Sequence, residues 1–365
     1  MGAANADALT SDAWGLLRDL VAVPSPSGEE AQAAGLLQDW LRARGLDARI
    51  DTAGSVRAEA GRGEFRVLLA GHIDCAAPFL PVRLEGDTLW GRGAVDAKGP
   101  LAAFAAAALA LADDDRVRLA LVACTGEEAD SRGARHLVES GCAADALVVG
   151  EPSGARGITL GYKGRLLARV RCAGETAHAG HATATPAERI ADGWRRLVQA
   201  SDNAGLDPSP AKTTPRLVAF EAHPEGHGWM AGARVDVRVP VGALERWEAG
   251  AFHALVRDAF ADATVEFVDA TPPYEGDPGD PVAAAFRAGI RAAGAEPRVV
   301  VKSGTSDLNL LAPALRVPGV AYGPGDSALD HRPDERLALD EFALGVRVLR
   351  AALPEIPRRV GLKRG

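Results

Sequence analysis

Three apolar runs in this chain end in acidic or imidazole side chains. The first is "LLAGHIDCAAPF" (68–79), which leads directly into His72 and Asp74. Successive side chains of an extended segment point to opposite faces, so His72 and Asp74, two apart, share one side. Glu127 and Glu128 follow the second run, "RVRLALVAC", and Glu151 follows the third, "DALVVG". Asp96 stands in the loop "GRGAVDAKGP". Carboxylates gathered at one place repel, and burying each unpaired costs several kcal/mol. Arg92 and Lys98 are the two nearby cations, too few to balance them. A pair of divalent ions would do so. Imidazole with carboxylate suits Zn2+, with Co2+ or Mn2+ as alternatives in an oxygen-rich setting. Two ions need at least one imidazole each. His72 serves one, and His331 in "GPGDSALDHRPDE" is the candidate for the other.

Such residues need a scaffold that brings distant segments to one edge. The 365 residues are 47% hydrophobic, enough for two domains or for one large domain with an insertion. Strand-like and helix-like patterns alternate through the first 160 residues. An amphipathic helix around Asp12 to Val21 is followed by "PSPSGEE", which supplies turn residues and a serine cap, and a second helix runs to about Arg44. Pro100 suits the first turn of the alanine-rich helix between the first two apolar runs. Gly141 closes a short helix before the third. This alternation predicts a mostly parallel sheet covered on both faces, with ligands in the crevice outside its carboxyl ends. After Gly161 the pattern changes. "RLLARVRC" and "ARVDVRVPV" alternate in polarity and each precedes a helix, which predicts an inserted α+β unit with a one-faced sheet. "TPPYEGDPGDP" then reads as a linker, before a helix (Val282 to Ala293), a strand (Arg298 to Lys302) and a last helix near Glu341 to Ala352.

A net charge of −8 argues against nucleic acid as a partner. The longest apolar run, "PLAAFAAAALALA", is too short to span a bilayer. Four scattered cysteines without a CxxC pair suit reduced thiols in a cytoplasmic setting. The N-terminus has neither a signal-peptide nor a myristoylation pattern.

"GHID", "GRGAVDAKGP", "TGEEA", "GEPSG", "ETAHAG" and "DHRPDE", in that order, resemble the zinc-dependent aminoacylase and carboxypeptidase superfamily that includes acetylornithine deacetylase and succinyl-diaminopimelate desuccinylase. Within it, "PSPSGEE", "ITLGYKGR" and "KSGTSDLNLLAP" are most similar to the hydrolases that release lysine or ornithine from an amino-group carrier protein. In that group the amino acid leaves the γ-carboxyl of the carrier's C-terminal glutamate. The resemblance implies an α/β zinc-peptidase-like catalytic domain (1–160 and 273–365) and an inserted α+β ferredoxin-like lid and dimerisation domain (161–272). It implies two Zn2+ ions bridged by Asp96, with His72 and Glu151 completing one and Glu128 and His331 the other. Asp74 would orient the His72 ring, and Glu127 would be the general base, its carboxylate turned away from that of Glu128 if the backbone there is extended. The resemblance also implies a strained or cis peptide at Asp96–Ala97. His178 in "ETAHAG" would reach an active site from the lid, with His181 as its competitor, and Arg238, Lys302, Ser303, Gly304 and Thr305 would meet the substrate. The implied partners are an acidic carrier protein and a second copy of the chain.

Plainer readings stand beside these. Glu29 and Glu30 read as a solvated helix start, since acidic residues favour a first turn. His136, His223, His227 and His253 read as surface or structural, Cys75 and Cys124 as buried thiols, and the basic tail "IPRRVGLKRG" as a solvated end. A deacylase of small N-acyl amino acids, or a non-catalytic binding relative, are the competing functions. An intact Glu127 beside a full ligand set speaks against the latter.

Overall fold

The computed structural model describes residues 3–175 and 183–364, with side chains from residue 8 to residue 361 within those ranges. The chain divides into two compact units, one formed by Met1–Leu160, Gly276–Val300 and Ser306–Gly365, the other by Gly161–Glu275 and Val301–Thr305. The segment Val301–Thr305, placed by sequence with the first unit, clusters with the second.

The first unit is built on a sheet whose central strands are parallel. Arg66–His72 lies between Arg118–Cys124 and Ala146–Gly150, and Gly319–Ala321 pairs in parallel with the last of these. Val56–Ala60 joins the Arg118–Cys124 side antiparallel. The register sets His72 opposite Cys124 and Gly71 opposite Gly150, so the carboxyl ends of three strands finish level. Leu68 and Ala70 are as buried as Val67 and Leu69, and alternation then requires cover on both faces. That explains why these strands read as unbroken apolar runs. The helix Lys98–Ala110 is buried from Lys98 through Ala108, as a helix apolar all round must be, and it packs with Ala3–Ala22 and Leu339–Ala352. Its Phe104 ring lies against Gly150, where an added Cβ would come within 2.9 Å of Phe104 and 3.2 Å of Gly71. Two glycines thus let the helix approach the strand ends. Gly276 donates its N–H to the Leu160 carbonyl at 2.6 Å, so the first unit rejoins itself where the chain left it.

The second unit has the order βαββαβ. Its strands lie as Thr214–Glu225, Gly228–Val239, Gly164–Glu175 and Thr264–Thr271, all antiparallel. Helices Pro186–Ala200 and Ala251–Ala259 cover one face, burying Leu166, Val170, Val235, Ile190, Leu197, Phe252 and Val256 together. Thr185 and Glu188 form a reciprocal capping box ahead of Pro186. Two of the four strands escaped the sequence pattern. Thr214–Glu225 is an edge strand exposed along most of its length, with no alternation to detect, and Thr264–Thr271 is interrupted by a bulge near Val268. The short helix Leu308–Leu315 was also missed, because Pro313 lies inside it.

The expected serine cap is corrected. The second helix starts at Ala31 after Glu30, with no side-chain cap, and the serines of "PSPSGEE" face the strand ends instead. Glu30 is not solvated either: it is 4% exposed and paired with Arg132.

Phe104→Ala is expected to lower the unfolding free energy by about 3–5 kcal/mol, the usual cost of emptying a buried aromatic site, read from urea denaturation followed by circular dichroism.

Candidate metal centre

His72 is the last residue of its strand, and Asp74 follows in the loop. The ring Nδ1 lies 3.0 Å from the Asp74 backbone carbonyl and 3.4 Å from its carboxylate, so the carbonyl is the nearer acceptor and orients the ring. The Asp74 carboxylate is occupied otherwise. It accepts the Glu127 and Glu128 backbone N–H groups, both at 3.1 Å, and the Ser27 hydroxyl at 2.6 Å. These three donors add to the His72 ring at 3.4 Å. Burial pushes its pKa up, but the hydrogen bonds and His72 outweigh it and hold Asp74 below the usual range.

Two adjacent N–H groups reaching one carboxylate mark a tight turn. Residues 127–130 form it, after Gly126 at φ +74°, where a Cβ would meet Arg132 and Asp130 at 2.7 Å. The extended backbone anticipated for Glu127 and Glu128 is therefore corrected to a turn. Glu128 reaches His331, its Oε1 lying 2.9 Å from the ring Nε2. Asp96 completes this group: its Oδ2 is 3.1 Å from His331 Nε2, while its Oδ1 is 3.3 Å from His72 Nε2. Asp96–Ala97 is a cis peptide.

Donor atoms of Asp96, Glu128 and His331 lie within 4.8 Å of one another. Bonds of about 2.0–2.1 Å to a tetrahedral ion separate neighbouring ligand atoms by about 3.3 Å, so this spacing suits a shared cation. Electrostatics point the same way. Arg92 is paired with Glu335, and the Lys98 ammonium donates to the Leu20 and Val23 carbonyls, both at 2.9 Å. Neither cation is spent on the cluster. Burial, reinforced by Glu151, Asp307 and Glu128, raises Glu127 well above the usual range, and burial raises Asp307 to about 6. Negative charge is in surplus, and a divalent ion would remove it. The residues present fit a metal.

Most of the residues anticipated as ligands converge here. Glu151, directly after its strand and 6% exposed, acts on Glu127 electrostatically. Arg238, Lys302, Ser303, Gly304 and Thr305 belong to the second unit. There Arg238 pairs with Asp236 at 3.0 Å and reaches the Thr305 hydroxyl at 3.4 Å. His178 and His181 lie outside the described residues. Glu335 had no assigned role in the sequence, Asp307 closed a loop (302–307) read as lining the substrate pocket, and the serines of "PSPSGEE" were read as turn and cap residues. Each sits in a quoted motif, and that was the available signal. Cys124 is a neutral buried thiol, its pKa pushed up by burial.

Paired imidazoles and carboxylates at the carboxyl ends of a mostly parallel sheet define a metal-dependent hydrolase of α/β fold. Residues 68–355 match Peptidase family M20/M25/M40, and the chain belongs to that family. It is 38% identical to the [LysW]-lysine hydrolase of Deinococcus radiodurans, over 93% of this chain and 96% of that protein. It is 36% identical to a putative [LysW]-lysine/[LysW]-ornithine hydrolase of Thermococcus kodakarensis, over 93% and 91%. Among solved structures, an M20 family metallo-carboxypeptidase from Sulfolobus solfataricus aligns with a TM-score of 0.78 at 20% identity, covering 95% of this chain and 99% of that one. A dinuclear metal-binding M20 peptidase from Bacillus subtilis aligns at 0.68 and 17%, covering 96% and 98%. These two share the fold. No helix among the described residues is long and apolar enough to cross a membrane.

Asp96 and Glu128 raise the His331 pKa to about 10; burial opposes a rise at His72, yet Asp74, Asp96 and Glu127 lift it well above 6.5. In the metal-free protein the His331 ring is therefore charged at pH 7, and His72 is shifted toward its charged form. Their contribution to folding is full below the unfolded value of about 6.5 and fades as pH rises toward the folded one. A cation must displace these protons. Zinc titrated into metal-free protein at pH 7 is expected to release protons, and affinity should rise about tenfold per pH unit for each displaced proton between pH 6 and 8. Calorimetry in buffers of different ionisation heat measures both.

Proposed function

We propose that this chain is a dinuclear metal amide hydrolase that frees lysine or ornithine from the C-terminal glutamate of the LysW carrier. The observation that carries the two-ion reading is Asp96, whose two oxygens face different imidazoles, His72 at 3.3 Å and His331 at 3.1 Å. A carboxylate so placed suits a bridging ligand. His72 and Glu151 would hold one ion with it and Glu128 and His331 the other; zinc is preferred, and Co2+ or Mn2+ suits the same donors. Bound ions would acidify water and polarise the scissile carbonyl.

The remaining work falls to side chains. Glu127 lies beside the cluster without belonging to it, and its raised pKa suits a group that takes and returns a proton. It accepts a proton from the attacking water as the carbon–oxygen bond forms. It then delivers that proton to the amine nitrogen as the carbon–nitrogen bond breaks. Asp74 holds the Glu127 and Glu128 amides and so fixes the turn that separates base from ligand.

The carrier-linked substrate is supported by the relatives named for it, at 38% and 36% identity over most of the chain. On this proposal the second unit is a lid and dimerisation element, and His178, Arg238, Lys302, Ser303, Gly304 and Thr305 are the candidates for substrate binding. A homodimer is supported by the edge strand Thr214–Glu225, which leaves Leu217, Val218 and Phe220 exposed. Four free cysteines suit a reducing cytoplasm.

Glu127→Gln is expected to keep its metal content and lose about 10²–10⁴-fold in kcat, measured by metal analysis and single-turnover assay on the same preparation. Retained turnover removes Glu127 from its role. Carrier-linked lysine, carrier-linked ornithine and N-acetylornithine, assayed side by side, test the substrate. A preference for N-acetylornithine overturns the carrier assignment.

A further inference from the structure

The motif "DHRPDE" holds three acidic residues that the chemistry above does not use, and the last of them is Glu335. Glu335 is 1% exposed, and its Oε1 accepts three backbone N–H groups, from Gly93 at 2.9 Å, Val95 at 3.0 Å and Asp96 at 3.2 Å. Its Oε2 accepts Arg92 Nη1 at 2.7 Å. The Arg92 guanidinium, 2% exposed, has further acceptors: Nε donates to the Pro78 carbonyl at 3.2 Å, Nη1 to Arg332 at 3.3 Å and Nη2 to His331 at 3.1 Å. One buried ion pair therefore ends on the Asp96 amide at one side and on the His331 carbonyl at the other. These residues lie more than two hundred positions apart in the chain, and their side chains meet.

His331 also has φ +60°, a left-handed conformation that a non-glycine residue keeps only where its surroundings hold it. The Arg92 hydrogen bond to its carbonyl is such a hold. We propose that Arg92 and Glu335 form a positioning clamp that sets the spacing of Asp96 and His331, and thereby the affinity for the ion completed by His331. This rests on the two-ion reading given above. Neither residue touches that ion. They act through the main chain of its ligands, as outer partners of metal sites do.

The two partners contribute differently. Arg92→Lys keeps the charge, but a single ammonium cannot span the four acceptors that a guanidinium fork reaches. It loosens His331 and leaves the Glu335 bonds to the Asp96 loop. Glu335→Gln keeps the volume but gives the amides or Arg92 an NH2 group where an oxygen stood, so it disturbs Asp96 as well.

Equilibrium dialysis against zinc with metal analysis tests the clamp, using the full-length protein and circular dichroism to verify folding. Wild type is expected to take up two ions. Arg92→Lys should hold one at wild-type affinity and bind the other about 10–100-fold more weakly, a milder form of the pattern given by His331→Ala. Its kcat should return toward wild type at saturating zinc with KM unchanged. Glu335→Gln should weaken both ions, because they share Asp96. Equal weakening of both sites in Arg92→Lys, or none, overturns the proposal. So does a failure of both variants to fold, which would make the pair a general folding element. A wild type that takes up a single ion overturns the two-ion reading and the clamp with it, whereas two wild-type ions with unaltered variants sink the clamp alone.

Discussion

Crowded negative charge at the strand ends is the constraint to which the first unit answers, and it answers in three ways. Asp74 is met from several sides: the His72 ring lies 3.4 Å from its carboxylate, and two amides and a hydroxyl donate to it. Glu335 is met by a guanidinium and three amides. Asp96 stands between two imidazoles, both of which it shifts toward their charged forms. Glu127 and Asp307 have no comparable compensation, and both rise. The unbalanced pair thus lies next to the donors best spaced for a cation. In a medium of low dielectric, that coincidence is costly unless an ion uses it.

The geometry follows from register. Because His72, Cys124 and Gly150 finish level, the loops that leave those strands start from one edge. Parallel pairing achieves this only when each strand is returned by a crossover, which explains why the helices are needed for the site as much as for the core. Gly126 then bends the second loop so sharply that two consecutive amides serve one acceptor. A neighbouring pair of glutamates acquires two environments within a single turn.

Much of this was written in the apolar runs and their acidic ends. Leu68 to Gly71 announces a strand buried on both faces, and Asp96, Glu128 and His331, taken from three separate motifs, bring donor atoms within 4.8 Å of one another. What escaped has physical causes. Thr214–Glu225 is exposed throughout most of its length, so no hydrophobic period marks it, and its existence depends on the neighbour to which it bonds. "PSPSGEE" suggested a serine cap because serine before a helix usually is one; for Ser27, a carboxylate 47 positions away competes better for the hydroxyl. Glu30 looked solvated until Arg132, far along the chain, covered it. The clamp from Arg92 to Glu335 is likewise a long-range fact. Local sequence records propensities, and these residues are decided by distant partners.

The hydrogen bond from Gly276 to Leu160 has a consequence for how such a protein can change over generations. The chain departs and returns at adjoining points, so the excursion between them is a graft on an otherwise continuous sheet. Its length, surface and partners are open to selection while the frame that carries the ligands keeps its register. Recombination at that seam would exchange the second unit as a block and leave the strand register of the first unchanged.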